Sequence, residues 1–191
     1  MRDVTQLVMA MTAIKPPAPQ DSVFTYIRAK DENRPYLMSR AFADTATLEI
    51  VAKAGTLSFP PMCHGLESIT DVLVRDFARK FENVHTLCLG IPPCTDDKVF
   101  SCRWLVGMSE KETRDVRVGS GRYDWTFRAD SLVEHLKITI DLMQTLPPAD
   151  VAVIMKWLSP LPYPWCPVDR ALGSAPKLDA LTTVFRCIAA A

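Results

Sequence analysis

The chain has 191 residues, with 22 Lys+Arg against 22 Asp+Glu and a formal net charge of +0. That balance leaves no basic surplus for phosphates, so nucleic acid is not an expected partner, and no run of like charge suggests a tail or a membrane patch. Hydrophobic residues make up 48%, enough for a core in one domain plus an extension, while no stretch reaches the about 18 unbroken apolar residues of a membrane span.

Residues 1–19 carry a short apolar run, Leu7 to Ile14, between Asp3 and a Pro cluster. This reads as a flexible arm rather than a secretion signal, and Met9 and Met11 offer alternative translation starts. Asp21-Ser22 supplies cap chemistry for a helix bearing Val23, Tyr26 and Ile27 at helical spacing. Arg34-Pro35 interrupts it, and a second helical piece follows over 35–42. Residues 45–51 read as a strand and 57–59 as another short one. After Gly65, the recurrence of Ile69, Val72, Leu73, Phe77 and Phe81 predicts an amphipathic helix.

Four longer strands follow, over 84–91, 99–108, 114–128 and 132–146. In the second, Phe100, Cys102, Trp104 and Val106 share one face. In the last, Leu136, Ile138, Ile140 and Leu142 do. Gly119-Ser120-Gly121 predicts a bulge in the third. Beyond Pro147-Pro148 the segment LSPLPYPWCP is extended and stiff, flanked by helical pieces near 149–158 and 178–188. Early helices and late strands in a meander predict an α+β fold. The domain spans 20–146, with early helices backing an antiparallel, barrel-like curved sheet, and residues 147–191 form an appendage on the domain or on a partner subunit.

The six cysteines, Cys63, Cys88, Cys94, Cys102, Cys166 and Cys187, form no CxxC pair, which favours reduced thiols in a cytoplasmic protein. No HExxH or paired Cys cluster suggests a metal, and no Gly-rich phosphate loop is present, so no cofactor is expected.

Three stretches carry a resemblance: RAFADTATLEI (40–50), HGLESITDVLVRDF (64–77) and GRYDWTF (121–127). In this order they resemble the nuclear transport factor 2-like superfamily and, within it, the SnoaL-like group. FENVHTLCLG (81–90) is similar to the His-bearing strand of scytalone-dehydratase-like members. The resemblance spans residues 20–146. It implies a cone-shaped sheet around one pocket, commonly in a homodimer formed through the sheet face. The superfamily holds isomerases, dehydratases, cyclases and plain ligand binders, so it does not settle activity.

Catalysis on such a fold needs an ionisable group facing an apolar cavity. The resemblance implies Asp31 and His85 as an acid–base pair. From the residues alone, Asp31 also reads as a solvated loop acid and His85 as a core histidine. The strand where scytalone-dehydratase-like proteins carry a second His reads FSCRWL here, offering Cys102 or Arg103. Tyr26 falls where ketosteroid-isomerase-like members carry an oxyanion-binding Tyr, and Asp124 near their second donor. The expected general base after the helix-end phrase is replaced by Glu49-Ile50. Trp104, Tyr123 and Phe42 complete the candidate pocket lining, with Asp124, Cys102 and Arg103 beside them, which suits a ring-containing ligand or simple core packing.

Three functions follow from this reading. The first is a cofactor-independent lyase, isomerase or cyclase moving a proton on a small apolar substrate. The second is a non-catalytic binder of a small apolar molecule. The third is an interaction protein that docks through LSPLPYPWCP.

Overall fold

The computed structural model describes residues 18–53 and 59–189. The expectations of an N-terminal arm, an alternative start and a strand over 57–59 fall largely outside them. Helix α1 (Pro19–Asp31) starts two residues before the expected cap. Asp21 lies inside its first turn, where its carboxylate accepts the Ala18 N–H, and the Ser22 hydroxyl donates to the Ser131 carbonyl. Pro35–Arg40 forms a 3-10 turn.

Strands β1 (Phe42–Ala52) and β2 (Met62–His64) follow, then a helical run in three parts. These are α2 (Leu66–Thr70), a π-helical stretch (Asp71–Arg75) and α3 (Asp76–Lys80). The wider π turn shifts the buried stripe, so Val74 is buried where the helical spacing pointed to Val72.

The sheet strands are β3 (Phe81–Leu89), β4 (Val99–Glu110), β5 (Val116–Phe127) and β6 (Val133–Leu146). Helices α4 (Val151–Leu158), α5 (Val168–Gly173) and α6 (Thr182–Ala189) follow, with the two-residue strand β7 (Trp165–Cys166) between the first two. The seven strands run in the order β2-β1-β6-β5-β4-β3-β7. The β3–β6 meander is antiparallel, as the turns between adjacent strands dictate. The sheet as a whole is mixed rather than antiparallel, because β1 pairs with β6 and β7 pairs with β3 in parallel. It is also open rather than barrel-like, with β2 and β7 at opposite edges.

The expected bulge lies on the neighbouring strand. Ser120 pairs with Leu142 and Gly121 with Ile140, so the extra residue is Asp141 of β6. One inserted residue flips every later side chain. Met143 therefore continues the row of Leu136, Ile138 and Ile140, while Leu142 packs on the opposite face. The glycines of this stretch serve close approach. A Cβ on Gly121 would run into the Thr139 carbonyl and come within 2.6 Å of the Trp104 ring.

Two apolar clusters share the sheet. On the concave face, α1, the 3-10 turn and α2–α3 pack over Leu48, Trp104, Tyr123, Trp125 and Leu136. On the convex face, α4–α6 cover Leu87, Leu89, Leu105, Val116 and Val118 with Ile154, Trp157, Leu158, Val184 and Ile188. Gly107 lets Leu158 and Ile154 lie directly on β4. The Pro-rich segment is part of this packing: Leu161 and Cys166 are buried, and Pro164 accepts the Cys88 N–H.

Candidate functional site

A cavity of about 60 Å³ lies between α1, α3 and the concave face. Apolar groups dominate its wall, among them Ile50, Leu73, Phe77, Val106, Met108 and Met143. The polar side chains are Tyr26, Lys30, Thr86, Trp104 and Tyr123. Tyr26 and Lys30 lie one helical turn apart on α1 and so face the same way. Trp104 and Tyr123 come from the concave-facing rows of β4 and β5.

Tyr26 is fully buried and its ring makes edge contacts with Phe42, Tyr123 and Trp125 at centroid distances of 5.7, 6.1 and 5.6 Å. Its hydroxyl makes no well-aligned hydrogen bond among the described residues, with the Tyr123 hydroxyl the group beside it, and the buried indole N–H of Trp104 has no partner among them either. Burial pushes the Tyr26 and Tyr123 phenols far up, so both stay protonated near neutrality.

Asp31 ends α1, and its side chain is only 4% exposed. Oδ1 accepts from Lys30 Nζ at 2.5 Å and from the Thr86 hydroxyl at 2.8 Å. Oδ2 accepts from the Thr86 backbone N–H at 2.8 Å and from the Tyr163 hydroxyl at 3.2 Å. Strand β7 pairs with β3 only at Cys88 and Leu89, so at Thr86 the Asp31 carboxylate takes the place of a neighbouring strand's carbonyl. An ionised carboxylate has about four lone-pair sites, and here four donors fill them. Asp31 is thus neither a solvated loop acid nor part of the cavity wall. Lys30 and Thr86 stand between it and the cavity, and Lys30 Nζ also lies 2.7 Å from the Thr86 hydroxyl and 4.9 Å from the Phe77 ring centroid.

The structure does not bring Asp31 and His85 together. His85 alternates in phase with Leu87 and Leu89, which belong to the convex cluster. Its ring packs on Tyr163 with centroids 5.1 Å apart, and its Nε2 is buried without a partner. Desolvation lowers its imidazole below the ordinary histidine value, with the Asp31 charge opposing and the Lys30 charge adding.

Four more of the expected lining residues are elsewhere. Arg103 faces the convex side and pairs with Asp141 at 3.2 Å. Asp124 is on that side too, bound to Ser101 and Arg122. Alternation along β4 and β5 puts both opposite the concave rows. Phe42 and Cys102 are buried in the concave core outside the cavity wall. Contact with the Cys102 thiol, and then burial, pushes the Cys88 thiol well up, which leaves it unreactive. The cavity is also well below the ~150 Å³ that admits a benzene ring, so a ring-sized ligand needs the methionines to move.

Sequence reading missed Lys30, Thr86 and Tyr163. The four-residue step from Tyr26 was the available signal for Lys30. Among the described residues, no group of three or more His, Cys, Asp or Glu could hold a metal ion, and no helix is long and apolar enough to cross a membrane.

No protein-family model and no curated protein matches the chain. Solved structures do. A nuclear transport factor 2-like superfamily protein from Salmonella enterica superposes with a TM-score of 0.50 at 13% identity, over 64% of this chain and 88% of its own. A Catenulispora acidiphila protein with a ketosteroid isomerase-like fold, in complex with trimethylamine, gives 0.51 at 17% identity, over 66% and 88%. A Mycobacterium tuberculosis protein in complex with estradiol-17β-hemisuccinate gives 0.52 at 11% identity, over 64% and 93%. At these identities the likeness establishes the fold, which is that of the nuclear transport factor 2-like proteins, and not the activity.

Proposed function

On this fold, we propose that the chain is a small-molecule-binding protein whose ligand occupies the concave cavity. The supporting observation is that two of the buried donors without a well-aligned partner among the described residues, Tyr26 O–H and Trp104 N–H, belong to side chains lining this mostly apolar cavity. Leaving such a donor unpaired costs about 1–3 kcal/mol, which a ligand acceptor would recover. A mostly apolar molecule of a few heavy atoms fits the volume. The neighbour bound to trimethylamine carries a ligand of that scale on the same fold.

The binding reading stands ahead of the proton-transfer enzyme because, among the described residues, none offers the cavity a free base. Asp31 has its lone pairs filled, His85 is on the other face, and the phenols stay protonated. An isomerase or cyclase reading retains one favourable point: a buried Tyr26 donor would also stabilise a developing oxyanion. A homodimer formed through the sheet would have to use the half left open by α4–α6, where Lys53, Arg103, Arg122 and Lys137 lie.

Native mass spectrometry of the purified protein tests the reading together with Tyr26→Phe. A retained small molecule is expected in the wild type. The variant should lose it while unfolding no more easily, since it sheds an unpaired hydroxyl and no packing. An empty wild type with a destabilised variant would make Tyr26 a core residue and remove the case.

A further inference from the structure

We propose that Lys30, held by Asp31, sets the charge selectivity of this cavity, so that it takes uncharged hydrogen-bond acceptors and rejects carboxylates. The inference rests on the binding reading above and names the ligand class for it. Lys30 lines the cavity and its side chain is only 6% exposed. An ammonium has three donors. Two are spent, on Asp31 Oδ1 and the Thr86 hydroxyl. No third partner is found among the described residues beyond the Phe77 ring 4.9 Å away, which leaves that N–H for a ligand in the cavity whose wall Lys30 shares with Tyr26 and Trp104.

The wall is therefore mainly apolar, with a few donors and no net charge. The Lys30 cation is neutralised by a carboxylate 2.5 Å away, and both side chains are shielded from water. A carboxylate entering the cavity would lose its hydration and meet a balanced ion pair, with the Asp31 anion just behind the ammonium. Burial of an uncompensated charge is far costlier than burial of a neutral amide or ketone that accepts one or two hydrogen bonds. A ligand amine fares no better, because the Asp31 oxygens have no lone pair to offer it. The class that fits is a small, uncharged, mainly apolar molecule with a carbonyl-type acceptor at one end.

Asp31 is thus a positioning residue. It fixes the Lys30 rotamer, with Thr86 as the second anchor and Tyr163 of the extension bracing the far oxygen. Its charge acts on the ligand only through Lys30. Removal of that charge, with the shape kept, should invert the preference of the cavity rather than abolish binding.

The test compares propanamide with propanoate, which are nearly isosteric, by ligand-observed NMR titration at neutral pH. Wild type should bind propanamide at least about tenfold more tightly than propanoate, a difference of about 1.4 kcal/mol. In Asp31→Asn the ammonium is unbalanced, and propanoate should become the tighter ligand. Should that variant fail to fold, Lys30→Met/Asp31→Asn removes both charges, keeps an acceptor for the Thr86 N–H, and should bind propanamide more weakly with propanoate still excluded. Equal affinities of wild type for the two probes, or an unchanged preference in Asp31→Asn, would overturn the inference while leaving the binding reading intact. If neither probe binds wild type, and native spectra are also empty, the binding reading itself fails.

Discussion

Both faces of the sheet are buried by other parts of the chain, yet they are finished differently. On the convex side, Trp157 donates its indole N–H to the Ala171 carbonyl at 2.8 Å and packs edge-on against Phe185 at 5.7 Å. Apolar side chains of α4–α6 close the rest. On the concave side, Tyr26, Trp104 and Trp125 are as deeply buried, but their polar atoms have no well-aligned partner among the described residues, and the first two line a void. The convex side pairs its buried indole and fills the space around it, although His85 Nε2 is left without a partner there. The concave exception is therefore informative, because the same residue types are treated differently there.

Three substitutions probe that contrast, in falling order of expected effect. Trp157→Ala should cost about 3–5 kcal/mol in denaturant unfolding, without changing ligand affinity in the folded fraction. Loss of binding at equal occupancy of the fold would mean that the two faces are not separable. Gly121→Ala pushes a methyl into the Thr139 carbonyl and the Trp104 ring. It should cost about 1–3 kcal/mol and also displace the cavity wall, seen as a changed near-UV signal together with weakened binding. A loss of stability with unaltered binding would detach Trp104 from the site.

The smallest effect concerns pH. His85 has a folded value below its unfolded one, so between the two the unfolded chain holds the extra proton. Stability from this group is complete above the ordinary histidine value of about 6.5 and is lost as pH falls through it toward the folded value. His85→Gln should flatten the stability–pH curve below neutrality. An unchanged slope would place the titration elsewhere.

The strands of the meander were legible because alternation is a local property, and Trp104, Tyr123 and Trp125 fell on the inner face as their spacing indicated. Alternation does not say which strand lies beside which, so the parallel β1–β6 pairing was invisible. It also carries no mark of an inserted residue: Leu142 continues the pattern on paper, yet the bulge at Asp141 hands that place to Met143. At the site, an aspartate and a histidine attract notice as chemical groups, whereas a lysine reads as surface. Lys30 was passed over for that reason, although it lies one turn from Tyr26. The role of Tyr163 depended on a contact spanning 132 residues of sequence, which no local pattern reports.

The parallel pairing of β1 with β6 has a consequence for assembly. Thr47 meets His135 across 88 residues, so β1 waits on that side until nearly the whole meander has been synthesised. The hairpins from β3 to β6 close short loops and come first, whereas the long closure is entropically costlier and comes late. The cavity wall draws on α1 through Tyr26, on β1 through Ile50 and on β6 through Ile138. It exists only once β1 docks against β6, so any molecule that enters it must meet a protein that has already closed its sheet.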